Sequence, residues 1–259
     1  MRRAAALAAT LAVTLAGLCL PAGVRGETAP AERRSDSMLL GPETRAMQAD
    51  DTANPGMLAV AEGEELWGAP AGRACAGCHG DARLTMRGVA ARFPAWREDE
   101  GVIDLAGQVN RCRRLRQDQP PLARESPELL ALTAFVAHQS RGLPIAPPDD
   151  EPVRAAQRRG QALFTRRIGR LDLSCAGCHD DLWGRRLGAA VIPQAHPTGY
   201  PLYRLEWQAT GSLQRRLRNC MTGVQAEPYP FGAPEYVDLE AYLMARARGL
   251  PLETPAVRP

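Results

Sequence analysis

Two pentapeptides, Cys75-Ala76-Gly77-Cys78-His79 and Cys175-Ala176-Gly177-Cys178-His179, repeat each other letter for letter about a hundred residues apart. Two thiols three positions apart, followed at once by a histidine, are the residues by which c-type haem is attached. The thiols add across the vinyl groups and the adjacent imidazole becomes the proximal ligand of the iron. Cys75, Cys78, Cys175 and Cys178 are thus the expected attachment thiols, and His79 and His179 the expected proximal ligands, of two covalently bound haem c groups. A Cys-x-x-Cys pair can also be a redox dithiol or half of a zinc site. A zinc site gathers four ligands at similar spacing, however, and a thioredoxin-like dithiol accompanies a βαβ pattern that is missing here.

Of the seven cysteines, Cys19 falls in the leader described below, and Cys112 and Cys220 are left over. Each half closes on the same tetrapeptide, Arg141-Gly142-Leu143-Pro144 and Arg248-Gly249-Leu250-Pro251. Counting back from these, Asn110-Arg111-Cys112 falls opposite Arg218-Asn219-Cys220 to within one residue. A cytochrome c that only relays electrons takes a methionine or a second histidine from downstream as its sixth ligand. Here a cysteine holds that place twice. Met86 lies too soon after its motif, and Met221 points to the other side of a helix if Cys220 faces iron. Three other readings compete: a Cys112–Cys220 disulfide, as spare thiols form in oxidising compartments; ligation by His138, late in a closing helix; or ligation by His196, in a turn-rich loop over 191–201.

Cys220 also has an arginine for a neighbour. If Gln214-Arg215-Arg216-Leu217-Arg218-Asn219-Cys220 is helical, Arg216 projects on the same side one turn earlier. A fixed cation beside a sulfur favours the thiolate, and a guanidinium suits the paired hydrogen bonds of a small oxyanion. Arg215, Arg216 and Arg218 cannot all point inward, so Arg215 is expected to face water. A sulfur that is both iron ligand and arginine neighbour suits exchange with an oxyanion of sulfur better than plain electron relay.

These residues need elements to hold them. Gly63-Glu64-Glu65-Leu66-Trp67 and Gly160-Gln161-Ala162-Leu163-Phe164 each predict a helix ahead of a haem motif, carrying an aliphatic-aromatic pair to pack on the haem edge. Leu129, Leu132 and Val136, and likewise Leu239, Tyr242 and Leu243, keep helical spacing near the end of each half. Gly142 and Gly249 are expected to supply the left-handed residue that ends such helices. The fold expected is all-α: two tandem class I cytochrome c-like domains related by an internal repeat. The divisions are a signal peptide over 1–26, an extended arm without its own core over 27–55, a first domain over 56–146, a proline-rich linker over 147–152 and a second, catalytic domain over 153–259.

Met1-Arg2-Arg3, the apolar run from Ala4 to Leu20 and the small residues from Ala22 to Gly26 read as a secretory signal, which places the mature chain in the periplasm. A retained anchor is the competing reading, but the run is short and alanine-rich for a span, and no other segment could cross a membrane. Leu18 before Cys19 argues against lipid attachment. Loss of Arg2, Arg3 and Arg25 with no acid takes the formal net charge from +3 to zero, so net charge suggests no nucleic-acid partner.

With these motifs in view, the sequence resembles the SoxA family, the larger haem subunits of the SoxAX cytochromes of thiosulfate oxidation. The resemblance is densest from Ser174 to Pro251. It is carried by His196-Pro197-Thr198-Gly199-Tyr200-Pro201-Leu202-Tyr203-Arg204, by Trp207-Gln208-Ala209-Thr210-Gly211-Ser212-Leu213 running on through Cys220, and by Ala226-Glu227-Pro228-Tyr229. Because Cys75, Cys78, His79 and Cys112 are all present, it is the dihaem form that is resembled.

The resemblance implies an L-cysteine S-thiosulfotransferase that oxidatively joins thiosulfate to a cysteine of a SoxYZ-like carrier protein, with a SoxX-like monohaem subunit as stable partner. It implies that Cys220 is both the distal ligand of the second haem and the active-site cysteine, found in the family as a persulfide. Arg216 is implied as the substrate-binding arginine, and Cys112 as the distal ligand of the first haem. The alternative function is a dihaem electron carrier whose thiolate ligands merely hold the potential low. A peroxidase-like dihaem enzyme would instead need a displaceable distal site and a distal acid-base residue.

Overall fold

A computed structural model describes residues 28–69 and 74–259 of the chain; the expected signal peptide, residues 1–26, lies outside the described residues. In chain order the helices are α1 (Pro42–Ala49), α2 (Met57–Gly68), α3 (Cys75–His79), α4 (Ala82–Thr85), α5 (Leu105–Arg116), α6 (Pro127–His138), α7 (Glu151–Thr165), α8 (Cys175–His179), α9 (Leu213–Gly223) and α10 (Pro234–Arg246). Their starts follow local chemistry. Asp104, Ser126, Asp150, Ser174 and Ser212 cap α5, α6, α7, α8 and α9, each side chain accepting from the N–H three residues on. Proline, which needs no partner for a missing N–H, opens α1, α6 and α10.

Apart from the one-turn α4 of the first half, the two halves carry the same order of helices around their haem motifs. In the first, α2 crosses α6; in the second, α7 crosses α10. Both crossings turn on a glycine. A Cβ at Gly63 would lie 2.1 Å from the carbonyl oxygen of Ala131, and one at Gly160 would lie 1.9 Å from that of Asp238. Val60, Trp67, Phe135 and Val136 fill the space beside the first crossing, and Phe164, Tyr236, Leu239, Tyr242 and Leu243 that beside the second.

The expectation of an all-α chain needs correcting, because among the described residues seven short strands accompany the helices. They are β1 (Ala95–Arg97), β2 (Gly101–Ile103), β3 (Arg186–Leu187), β4 (Ala190–Val191), β5 (Leu202–Arg204), β6 (Ala209–Gly211) and β7 (Val257–Arg258). Antiparallel β1–β2 leads into α5, and antiparallel β5–β6 leads into α9, while β7 pairs parallel to β5. Strands of two or three residues are too short for alternation to register as a period in sequence.

Gly142 and Gly249 do take positive φ, at 80° and 88°, but α6 and α10 end three or four residues earlier, at His138 and Arg246. The left-handed turn instead sends each chain segment toward the other. Gly142 N–H donates to Leu252, Leu252 to Leu143, Ile145 to Leu250 and Gly249 to Ile145, all at 2.8–2.9 Å. The matching ends of the two halves are thereby bonded together. The buried cluster of the first half accordingly takes in Met244, Ala247 and Leu252 from the second.

The arm lies on the second half of its own chain. Gln194 accepts from Arg34 N–H at 2.7 Å and donates to the Glu32 carbonyl at 3.1 Å; Arg33 reaches the Arg248 carbonyl at 2.6 Å, and Asn54 the Pro255 carbonyl at 2.8 Å. Seven residues that no periodicity singles out thus tie the start of the described chain to its end.

Candidate active site

The short helix α8 presents Cys175, Cys178 and His179 from one turn. Ser174 Oγ accepts from Gly177 N–H at 3.0 Å and so fixes where that turn begins. His179 Nδ1 donates to the Pro193 carbonyl at 2.7 Å, which puts the proton on that nitrogen and leaves Nε2 as the lone-pair donor, the arrangement a metal-bound imidazole requires. Burial holds the His179 pKa below the ordinary histidine value, keeping the ring neutral. Phe164 stands beside it with ring centroids 6.3 Å apart. Arg246 lies 4.8 Å over Phe164 and donates to Asp180 at 2.6 Å.

Across from this motif runs α9. Its cap at Ser212 and its apolar Leu213, Leu217 and Met221 orient the helix, so Arg216 and Cys220 lie one turn apart on it as the spacing predicts. Met221 is buried and receives the Tyr236 hydroxyl at 3.6 Å, on a different side from Cys220. The Cys175 thiol is pushed up to about 11, first by burial and then by the charge of Cys220, whose sulfur is near enough to act on it.

Arg216 is half-buried. Among the described residues its guanidinium makes neither an ion pair nor a side-chain hydrogen bond. Burial works against its charge, but Cys220, Tyr200, Asp36 and Glu206 outweigh that and raise its pKa. A half-buried cation bonded to no side chain is built to receive an anion.

The other two arginines of the cluster lie on aromatic rings. Arg215 stacks 4.3 Å over Trp207 rather than simply facing water, and Arg218 lies 4.5 Å over Phe231 and donates to the Tyr229 carbonyl. Both cover apolar rings with their guanidinium faces.

The first half arranges its motif likewise. Trp67 Nε1 donates to the Gly80 carbonyl at 3.0 Å, and its ring lies 5.6 Å from that of His79. Cys112 on α5 accepts from Gln108 Nε2 at 3.2 Å, and Gln117 Nε2 reaches Cys75 at 3.5 Å. Burial raises the Cys75 pKa, and the charge of Cys112 adds to the rise, so these two sulfurs are also neighbours. His79 and Cys78 are exposed, whereas their counterparts His179 and Cys178 are half-buried.

Cys112 and Cys220 are both free and stand beside different motifs, so the structure does not join them in a disulfide. His138 is held at the Thr254 carbonyl, 3.2 Å from Nδ1. His196 is fully buried, its Nδ1 donating to the Arg34 carbonyl at 2.8 Å, and burial brings its pKa down to about 4. The donor set therefore fits haem c in both halves: a thiol pair and an imidazole on one turn, and a further cysteine brought in from the following long helix. Asp36 and the Pro193 carbonyl escaped the sequence reading, since neither stands at a motif spacing and the first comes from the arm; Tyr200 entered it only within the stretch that carries the family resemblance.

The model of the SoxA/TsdA cytochrome c domain matches the chain twice, over residues 62–145 and 159–252. The chain is 36% identical over 221 residues to the L-cysteine S-thiosulfotransferase subunit SoxA of Pseudaminobacter salicylatoxidans, and 34% identical over 220 residues to that of Rhodovulum sulfidophilum. Each alignment covers 83% of this chain and 77% of the relative. Among solved structures it is similar to the crystal structure of SoxXA from P. pantotrophus, with a TM-score of 0.83 and 29% identity over 88% of this chain and 87% of that one.

Proposed function

The chain belongs to the SoxA/TsdA cytochrome c family, and from that premise we propose that it is the haem-bearing subunit of an L-cysteine S-thiosulfotransferase. Thiosulfate is coupled to a cysteine of a SoxYZ-like carrier. One sulfur–sulfur bond forms, and the carrier thiol and thiosulfate together release one proton and two electrons. Haem c, when bound, accepts electrons one at a time.

The observation that carries this reading is the position of Arg216 one turn before Cys220, half-buried and bonded to no side chain, on the helix that faces the second haem motif. Arg216 holds the oxyanion end of thiosulfate through charge-assisted hydrogen bonds. Cys220 would hold the iron of the second haem and is the sulfur-handling nucleophile. Cys112 would hold the iron of the first haem. Cys75 and Cys78 with His79, and Cys175 and Cys178 with His179, would hold two covalently attached haem c groups, one in each of two tandem domains, 56–146 and 153–259. The double family match and the shared order of helices support that division.

The match to a SoxXA structure supports a SoxX-like monohaem partner, and the leader over 1–26 supports a periplasmic location. Among the described residues no helix is long and apolar enough to cross a membrane.

Replacing Cys220 by methionine tests the assignment in the purified complex. Thiosulfate-dependent turnover should be lost while the haem still takes up and passes electrons at a shifted potential. Full turnover in Cys220→Met would reduce the chain to an electron carrier.

A further inference from the structure

The Pro193 carbonyl that accepts from His179 sits on a loop with little of its own to hold it. From residue 181 to 190 the chain is exposed throughout. Just beyond Pro193, three alternate polar residues, Gln194, His196 and Thr198, are only 1–2% exposed. Polar side chains buried that deeply need partners.

The N-terminal arm provides them. Gln194 accepts from Arg34 N–H at 2.7 Å and donates to the Glu32 carbonyl at 3.1 Å. His196 Nδ1 donates to the Arg34 carbonyl at 2.8 Å; its Nε2 has no partner among the described residues, so this is the one hydrogen bond its ring makes there. Thr198 Oγ1 lies 3.1 Å from Ser35 Oγ. The second half adds bonds of its own, from Arg246 to the Gln194 carbonyl at 3.3 Å and between Thr198 and Glu253 at 2.7 and 2.8 Å.

We propose that the arm positions the proximal imidazole of the second haem. By bracing residues 194–198 it fixes the Pro193 carbonyl against His179 Nδ1, and so sets the potential and ligand field of that haem. Gln194 and His196 are positioning residues that act through Pro193. The inference rests on haem attachment at Cys175 and Cys178 in the reading above, and adds how the electron-accepting group of that site is tuned.

The physical reason is the hydrogen bond on the far side of the ring. A carbonyl accepting from Nδ1–H makes the imidazole a more electron-rich ligand, and stronger donation favours the oxidised iron. The bond here is 2.7 Å long, and such a bond weakens steeply as its length and angle depart from the optimum. A loop released from the arm therefore lets the carbonyl drift, raises the potential and frees the ring to turn.

Two variants of the full chain test this in the haem-loaded complex with its partner subunit. Gln194→Met keeps the bulk of the side chain and removes both of its bonds to the arm. Arg34→Pro removes the arm's N–H and leaves the loop's own sequence untouched. Redox titration and paramagnetic resonance follow the second haem, assigned as the one that responds to Cys220→Met. The expected result in both variants is a higher potential and altered g-values for that haem, with two haems still attached per chain and the first haem unchanged, since the bonds described all fall in the second half.

A wild-type potential and spectrum in Gln194→Met would overturn the positioning role and leave the transferase reading standing. A shift in Gln194→Met that Arg34→Pro does not reproduce would assign the effect to Gln194 alone and overturn the role of the arm. Equal shifts at the first haem would mark a general loosening and overturn it as well. An intact mass showing no haem on the second pair of cysteines in the wild type would overturn both this inference and the reading it rests on.

Discussion

Gly160 passes the backbone of Asp238 so closely that a Cβ there would sit 1.9 Å from the Asp238 carbonyl oxygen. That carbonyl belongs to the middle of α10 and cannot rotate away without losing its helical hydrogen bond. Gly160→Ala should therefore push α7 off α10 and destabilise the second half by about 1–3 kcal/mol or more, the usual range for overpacking. Gly63→Ala, 2.1 Å from the Ala131 carbonyl oxygen, should do the same to the first half. Urea unfolding of the holo-protein followed by haem absorbance checks this, and a wild-type midpoint in either variant would show that the crossings are not set by these glycines.

Stability should fall as the medium becomes alkaline, and Glu240 is the reason. Its carboxyl sits at the junction of the halves near Asp104, which donor groups Arg124 and Gln214 already hold at 2.5 and 3.0 Å. Burial first, and then the charge of Asp104, push the Glu240 pKa from 4.5 to about 8 against the pull of Arg124. A raised folded-state value means that the folded chain binds the extra proton. Its contribution is full below pH 4.5 and is lost as pH rises through about 8. Glu240→Gln should flatten the thermal midpoint between pH 4.5 and about 8, the interval over which the folded and unfolded carboxyls differ in protonation. A variant whose midpoint declines as steeply as the wild type's would point to another group.

Gln194 pins the arm by two bonds at once, to Arg34 N–H and to the Glu32 carbonyl. Removing both in Gln194→Ala should cost roughly 1–3 kcal/mol. Limited proteolysis should then cleave between residues 28 and 41 faster than in the wild type. Undiminished protease resistance would mean that the Arg33, Ser35 and Ser37 contacts hold the arm without Gln194.

The haem chemistry was legible in sequence because each of its parts is local. Five consecutive residues carry two thiols and an imidazole, and one helical turn carries Arg216 and Cys220, so covalent spacing and the 3.6-residue period are enough to place them together. The glycines Gly63 and Gly160 could be seen in the sequence, but nothing near them in the chain says that a neighbouring carbonyl leaves no room for a Cβ.

Gln194 is about 160 residues from Arg34 and Glu240 about 136 from Asp104, and neither stands in a motif. Nor does the sequence reveal that the two Arg-Gly-Leu-Pro ends bond to each other, or that the three-residue hairpins exist. Those relationships arise only when chain closure brings distant segments into contact, where burial, not spacing, determines which charges must share a site.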